Sequence, residues 1–345
     1  MDEEDLPILV DLHSNVYFDD EEGEVVILDR RTLPEKVSEY RCENYEEVAG
    51  AIEKMVTQSL GVSPAAGYGV AIAAYKAREK SKTEMKNKIS EAVERMKNTR
   101  PTQTSLHYLV DEMAEIARER IEGGKDVFKA VRSKAYEWTD HLMNISRKLG
   151  KYCSELLDDG DTILTHCYGG PAIFFMGSLA REDGKDIDYY CSETRPYLQG
   201  ARLTSFALNQ GNFDVTLVTD GMPAHCMRKG LIDKFITGAD RISLDGGVAN
   251  KIGTYQISLA AKRHGIPFYA ISYTGPDPET PTYRDVEVEK RDPKEVIYFR
   301  ENRISPEGVN AYYPAFDCTP PELVKGIVTD KGVYSPESVS QYFDR

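Results

Sequence analysis

Residues 158–171 read Asp158-Asp159-Gly160-Asp161-Thr162-Ile163-Leu164-Thr165-His166-Cys167-Tyr168-Gly169-Gly170-Pro171. An acidic turn hands over to a short apolar run, 162–165. The run stops on His166 and Cys167, two glycines follow, and Pro171 gives the signal of a helix start. The same strand, loop and helix grammar returns downstream. Apolar runs at 188–191, 215–218, 234–237 and 267–271 are spaced by about 20 to 30 residues with helical stretches between them, the signature of βαβ units and a parallel sheet. The irregular, proline-containing segment 273–281 reads as a loop beside that sheet.

Upstream of residue 157 the texture differs. Residues 15–18 and 24–28 flank the acidic turn 19–23 and read as a small hairpin. Helical patterns follow at 45–59, with Val48, Ile52, Met55 and Val56 on one face, at 65–77, at 84–97, and over 105–150 with a break near Gly123 and Gly124. The expected fold class is therefore α/β. A small N-terminal sheet plus helical domain over 1–156 precedes a Rossmann-like parallel-sheet domain over 157–345.

Composition sets outer limits. A chain of 345 residues, 41% of them hydrophobic, is long enough for about two domains with a sizeable core. Its 43 Lys and Arg against 57 Asp and Glu give a net charge of −14, which opposes steering by phosphate backbones, so no nucleic-acid partner is expected. A small anionic substrate is compatible, because helix N-termini and local arginines bind phosphate whatever the net charge. The six cysteines (Cys42, Cys153, Cys167, Cys191, Cys226 and Cys318) are dispersed, with no C-x-x-C pair and no histidines at zinc spacing, so neither a disulfide framework nor a metal is expected. No G-x-S-x-G elbow, Walker motif or G-x-G-x-x-G is present, and no cofactor is expected. The N-terminus, Met1 to Asp5, is acidic with no apolar run behind it, and no uncharged stretch of about 20 residues occurs. The expected location is the cytoplasm, without membrane attachment.

In open parallel sheets, ligands bind beyond the carboxyl ends of the strands. The residues there are His166, Cys167, Tyr168, Gly169 and Gly170; then Glu193, Thr194 and Arg195; then Asp220 and Gly221; then Asp240 and Arg241. Cys167 precedes a helix start, whose positive dipole end would favour a thiolate able to act as a base. Cysteine more often simply fills space, but its neighbours here favour chemistry. Asp240 ends the run Ile236-Thr237-Gly238-Ala239, where small residues allow a ligand to approach closely; a turn or cap is the plainer reading of such an aspartate. Gly246-Gly247-Val248-Ala249-Asn250-Lys251 leads toward a predicted helix over 252–264 and offers backbone N–H groups plus a lysine charge, a plausible phosphate cradle.

With these residues in view, the sequence resembles the methylthioribose-1-phosphate isomerase family. The larger group around it includes ribose-1,5-bisphosphate isomerase and the regulatory subunits of the eukaryotic translation-initiation exchange factor. The resemblance runs in order through Thr165-His166-Cys167, Glu193-Thr194-Arg195-Pro196, Leu198-Gln199-Gly200-Ala201-Arg202-Leu203-Thr204, Thr219-Asp220, Gly238-Ala239-Asp240-Arg241-Ile242, Asn310, Pro314-Ala315-Phe316-Asp317 and Lys331-Gly332-Val333. It extends to the hairpin region, with Leu28-Asp29, Leu33-Pro34 and Tyr45-Glu46-Glu47-Val48.

The resemblance implies Cys167 and Asp240 as the catalytic pair, with Arg100, Gln199, Asn250 and Lys251 holding a sugar phosphate, in a homodimer. It implies conversion of a pentose 1-phosphate, foremost 5-methylthioribose 1-phosphate, to the ketose 1-phosphate of methionine salvage. A paralogous isomerase of 5-deoxyribose 1-phosphate or ribose 1,5-bisphosphate, and a non-catalytic regulatory subunit, are the other readings.

Three departures bear on the substrate. Gly61-Val62-Ser63-Pro64 stands where the family isomerases have Arg-Gly-Ala-Pro, Tyr168 replaces an asparagine, and Ser272-Tyr273-Thr274-Gly275 replaces Pro-x-Ser-Thr. A charge-assisted phosphate contact contributes ~1.5 to 3 kcal/mol, so the missing arginine should weaken binding unless another group such as Arg30 or Arg31 compensates.

Overall fold

The structure is a computed structural model and describes residues 6–101 and 103–344; the acidic segment Met1 to Asp5 lies outside the described residues. The chain forms two compact units, Met1–Asn144 and Ile145–Arg345. The division falls upstream of residue 156, within one long helix. That helix runs from Val127 to Ser154, and the first turn signal in the sequence, Asp158-Asp159-Gly160, follows its end.

In the first unit, helix α1 (Leu12–Asn15) starts on Asp11, whose carboxylate accepts the His13 N–H at 3.0 Å. Strands β1 (Val16–Asp19) and β2 (Glu24–Leu28) form the expected antiparallel hairpin, with Val16 opposite Ile27. Strand β3 (Glu39–Cys42), not expected from the sequence, pairs with β2; its mixed Glu-Tyr-Arg-Cys face is half solvated and carries little apolar signal. Helix α2 (Tyr45–Glu53) is capped by Asn44 and ends before the expected residue 59, because Met55 turns left-handed at φ 59°.

Helix α3 (Val62–Lys76) is buried on every face from Val62 to Ala74, as its apolar, small-residue sequence requires. Helix α4 (Lys82–Thr99) opens with a reciprocal Ser81–Glu84 capping box. Helices α5 (Thr104–Glu122) and α6 (Val127–Ser154) are separated at Gly123 and Gly124.

The second unit runs β4 (Thr162–Thr165), α7 (Pro171–Glu182), β5 (Asp188–Ser192), a π-helical turn at Gly200–Thr204, α8 (Ser205–Gln210), β6 (Val215–Val218), α9 (Pro223–Arg228) and β7 (Lys234–Gly238). It continues through β8 (Arg241–Ile242), β9 (Val248–Lys251), α10 (Thr254–His264), β10 (Phe268–Ile271), α11 (Lys294–Ile297), β11 (Tyr298–Phe299), β12 (Asn302–Arg303), β13 (Phe316–Thr319), β14 (Gly326–Thr329) and β15 (Gly332–Tyr334).

Seven strands make one sheet in the order β15-β14-β10-β7-β4-β5-β6, parallel except for β15. Leu164, Phe235, Phe268, Ala270 and Ile327 share its buried core, the two phenylalanine rings stacked at 4.6 Å. The chain builds outward from β4 through β5 to β6, then returns to β7 on the other side of β4. That reversal is a topological switch point, and the crevice beyond it is where such sheets bind ligands.

Among the described residues, no helix is long and apolar enough to cross a membrane.

Candidate active site

Cys167 follows β4 and Asp240 follows β7, the two neighbouring strands at the switch point. Two glycines allow the strand ends to close together: a Cβ on Gly238 would lie 3.1 Å from the Cα of Gly169. Cys167 itself is left-handed, with φ 62°. That conformation costs a non-glycine residue ~1 to 3 kcal/mol, so the surroundings must hold it there.

Hydrogen bonds do so. The Thr194 hydroxyl accepts the Cys167 N–H at 2.9 Å, and the Thr204 hydroxyl donates to the Cys167 carbonyl at 2.6 Å. The Thr237 hydroxyl donates to the carbonyl of His166 at 2.6 Å. At ~0.5 to 1.5 kcal/mol each, three such bonds are of the size needed to offset the strain. Asp220 fixes Thr194 in turn, its carboxylate accepting the backbone N–H groups of Thr194 and Arg195 at 2.8 and 2.7 Å.

His166 is fully buried. Its Nε2–H donates to the Ile252 carbonyl at 2.9 Å, which leaves Nδ1 to accept from the Ser192 hydroxyl at 2.6 Å. Burial pushes its pKa below the ordinary histidine value, which favours the neutral ring, and the ring fastens β4 to β5 and to the segment after β9.

Burial pushes the Cys167 thiol up to about 11; the Lys251 charge pulls it down and Asp240 raises it. That desolvation works against the expected helix-favoured thiolate. The N-terminus of α7 is already engaged: the Tyr273 hydroxyl accepts the Ala172 N–H at 2.9 Å and donates to the Gly169 carbonyl at 3.0 Å. Asp240 keeps an exposed side-chain surface, yet the protein packed around it raises its pKa by desolvation, opposed by the charges of Lys251 and then Arg291. Both features fit a carboxyl lining an open crevice.

The expected phosphate cradle at 246–251 needs correction. Residues 248–251 are the strand β9, paired with β8 and β13, and the helix starts at Thr254 and not at 252. Its first donors are already engaged, because Asp317 accepts the Gly253 and Tyr255 N–H groups at 2.7 and 3.0 Å. Gly247 N–H is held by Asp245 at 3.0 Å, and Gly246 packs against Pro336. Of that expected cradle, the Lys251 charge is what remains. The residue is only 6% exposed, its ammonium stands 4.2 Å from the centre of the Phe316 ring, and its charge reaches both Cys167 and Asp240.

The other expected contacts separate. Asn250 is buried, with its amide donating to the Thr254 hydroxyl at 3.0 Å. Gln199 is buried before the π-helical turn, and its side-chain oxygen has no hydrogen-bond partner. Arg100 belongs to the first unit, where it donates to the Ile52 and Thr99 carbonyls at 2.9 and 3.1 Å. In the same unit, Gly61 has no room for a side chain: a Cβ there would lie 2.2 Å from the Thr57 hydroxyl and 3.1 Å from Nη2 of Arg30.

Sequence reasoning did not single out Ser192, Thr237 or Arg291 as site residues, and it met Thr204 and Tyr273 only as members of stretches compared with the family. Threonines in and beside strands read as ordinary strand formers, and Arg291 lies in an irregular stretch far downstream.

The model of the Initiation factor 2 subunit family matches residues 57–336. The methylthioribose-1-phosphate isomerase of Acetivibrio thermocellus is 38% identical over 335 residues, covering 93% of this chain and 97% of that protein. The one of Maridesulfovibrio salexigens is 37% identical over 347 residues, covering 96% and 99%. Among solved structures, the 5-methylthioribose 1-phosphate isomerase of Pyrococcus horikoshii has a TM-score of 0.87 at 32% identity, covering 96% of this chain and 94% of that one. The structure titled translation initiation factor eIF-2B, subunit delta, from A. fulgidus has a TM-score of 0.82 at 36% identity, covering 94% and 96%. The chain belongs to the Initiation factor 2 subunit family and, within it, to the methylthioribose-1-phosphate isomerases.

Proposed function

We propose that this protein is an aldose-ketose isomerase that converts 5-methylthioribose 1-phosphate to methylthioribulose 1-phosphate, with Cys167 and Asp240 as the reacting groups. The observation that carries the reading is the placement of these two side chains at the adjacent strand ends of the switch point, with the Lys251 charge reaching both.

An aldose 1-phosphate has its anomeric carbon esterified, so the ring must open with the phosphate attached. A carboxyl with a raised pKa suits the first step. Asp240 donates its proton to the ring oxygen as the bond from C1 to that oxygen breaks. In the proton-transfer route, Cys167 in its thiolate form removes the C2 proton to give an enol; the thiol returns that proton to C1 while the 2-hydroxyl gives its own proton to the Asp240 carboxylate, which leaves the ketose and both groups as they began.

A direct hydride shift from C2 to C1, with the 2-hydroxyl proton passing to the Asp240 carboxylate, is the second route. The high thiol pKa favours it, since about one thiol in ten thousand is ionised at pH 7 when the pKa is about 11. Deuterium at C1 of product formed in deuterium oxide would mark proton transfer; its complete absence would mark the hydride shift.

Lys251 holds the phosphate and Gln199 a sugar hydroxyl, while Asn250 orients the start of α10 beside them. Arg100 stays in this reading as an expected substrate contact. On this reading the enzyme works in methionine salvage, as a cytoplasmic homodimer without cofactor or metal.

The test is turnover of a panel holding 5-methylthioribose, 5-deoxyribose and ribose 5-phosphate, each as its 1-phosphate, with Cys167→Ser and Asp240→Asn as controls. Turnover of the methylthio compound, lost in both variants, is expected. Preference for another member reassigns the substrate; binding without turnover points to a regulatory subunit; full activity in the variants removes the site assignment.

A further inference from the structure

Three hydroxyls hold the two peptides that flank the Cys167 side chain. Thr194 comes from the end of β5, Thr204 from the π-helical turn and Thr237 from β7, and all three are buried. Together they satisfy the Cys167 N–H, the Cys167 carbonyl and the His166 carbonyl. The Thr194 hydroxyl also directs its own proton to the Ser192 carbonyl at 3.2 Å, so its lone pair faces Cys167. Thr194 is left-handed as well, with φ 65°, and its own N–H ends on Asp220. Two adjacent left-handed residues are thus tied to each other and then to β6 through an aspartate. β-Branching restricts each threonine at χ1, so the hydroxyls are fixed where a serine would rotate more freely.

We propose that Thr194, Thr204 and Thr237 are positioning residues for Cys167: their hydroxyls fix its left-handed backbone and thereby set where the thiol stands in the crevice. The effect on rate rests on the isomerase reading above. The effect on the thiol does not, because it belongs to the ligand-free chain.

The measurement pairs steady-state kinetics with iodoacetamide labelling of the Cys167 peptide, followed by mass spectrometry across pH 7 to 10 on the full chain. Valine in place of Thr194 keeps the shape and removes the hydroxyl. Thr194→Val is expected to lower kcat at least 10-fold with KM within threefold, and to label at least fivefold faster at pH 8.5 as the loop relaxes toward solvent. Thr194→Ser is expected to restore both quantities to within threefold of the native chain. A merely structural role would not produce that split.

Thr204→Val carries the same expectations and decides the matter if Thr194→Val fails to fold by circular dichroism. Unchanged kcat and labelling, or a rise in KM alone, overturns the proposal. If the native chain turns over no sugar phosphate, the isomerase reading has failed, and the labelling ratio alone decides for or against the hydroxyl cradle.

Discussion

After β4 the chain bends into a left-handed cysteine held by hydroxyls from three other segments, whereas after β7 it carries Asp240 on the sheet's own backbone bonds. Ala239 N–H donates to the Ile271 carbonyl at 2.8 Å, and Asp240 N–H to the Ala249 carbonyl at 3.0 Å. The cysteine depends on side chains elsewhere; the aspartate depends on strand pairing. Two groups beyond neighbouring strand ends therefore differ in how readily mutation displaces them.

The largest expected effect ignores that difference and removes the chemistry itself. Cys167→Ser and Asp240→Asn should each lower kcat by ~100-fold or more, the scale of a lost acid or base, in a steady-state assay of the sugar phosphate that turns over. Lys251→Met comes next. Loss of a charge-assisted phosphate contact of ~1.5 to 3 kcal/mol should raise KM about 10- to 100-fold with a smaller change in kcat, and an unchanged KM would remove Lys251 from the phosphate.

Stability separates the two strand ends more sharply. Asp220→Asn, which weakens the anchor of Thr194, should lower the melting temperature by several degrees, the effect of ~1 to 2 kcal/mol. Asp240→Asn should leave it unchanged or raise it, because the protein packed around that carboxyl already disfavours its charged form. At Cys167, glycine should be more stable than alanine by ~1 kcal/mol, the reverse of the usual order, since only glycine adopts φ 62° without strain.

The smallest effect is on pH dependence. The His166 pKa is depressed below 6.5 in the folded chain, so below that pH the unfolded chain binds the proton first. Its contribution is fully present above 6.5 and is lost as pH falls through the folded value. A His166→Asn variant should show a flatter loss of melting temperature between pH 6.5 and 5.

Much of the second unit was legible because buried parallel strands are short apolar runs with loops of distinctive chemistry. The runs at 162–165 and 215–218 coincide with β4 and β6. What escaped was set by long-range pairing. β9 contains Asn250 and Lys251, polar residues that become strand through β8 and β13, and its helix N-terminus is taken by Asp317 from far along the chain. Tyr273 gave no local sign that its hydroxyl would engage the start of α7. Cys167 and Asp240 stood out by position and by resemblance; the strain at Cys167 could not, because φ is not written in residue type.

The protonated state of Cys167 also bears on how long the protein lasts. Peroxide attacks thiolates, and a thiol with a pKa of about 11 presents almost none at neutral pH. The residue on which turnover is proposed to depend is thus chemically quiet between encounters with substrate. It should resist conversion to sulfenic acid far longer than a cysteine activated at a helix N-terminus.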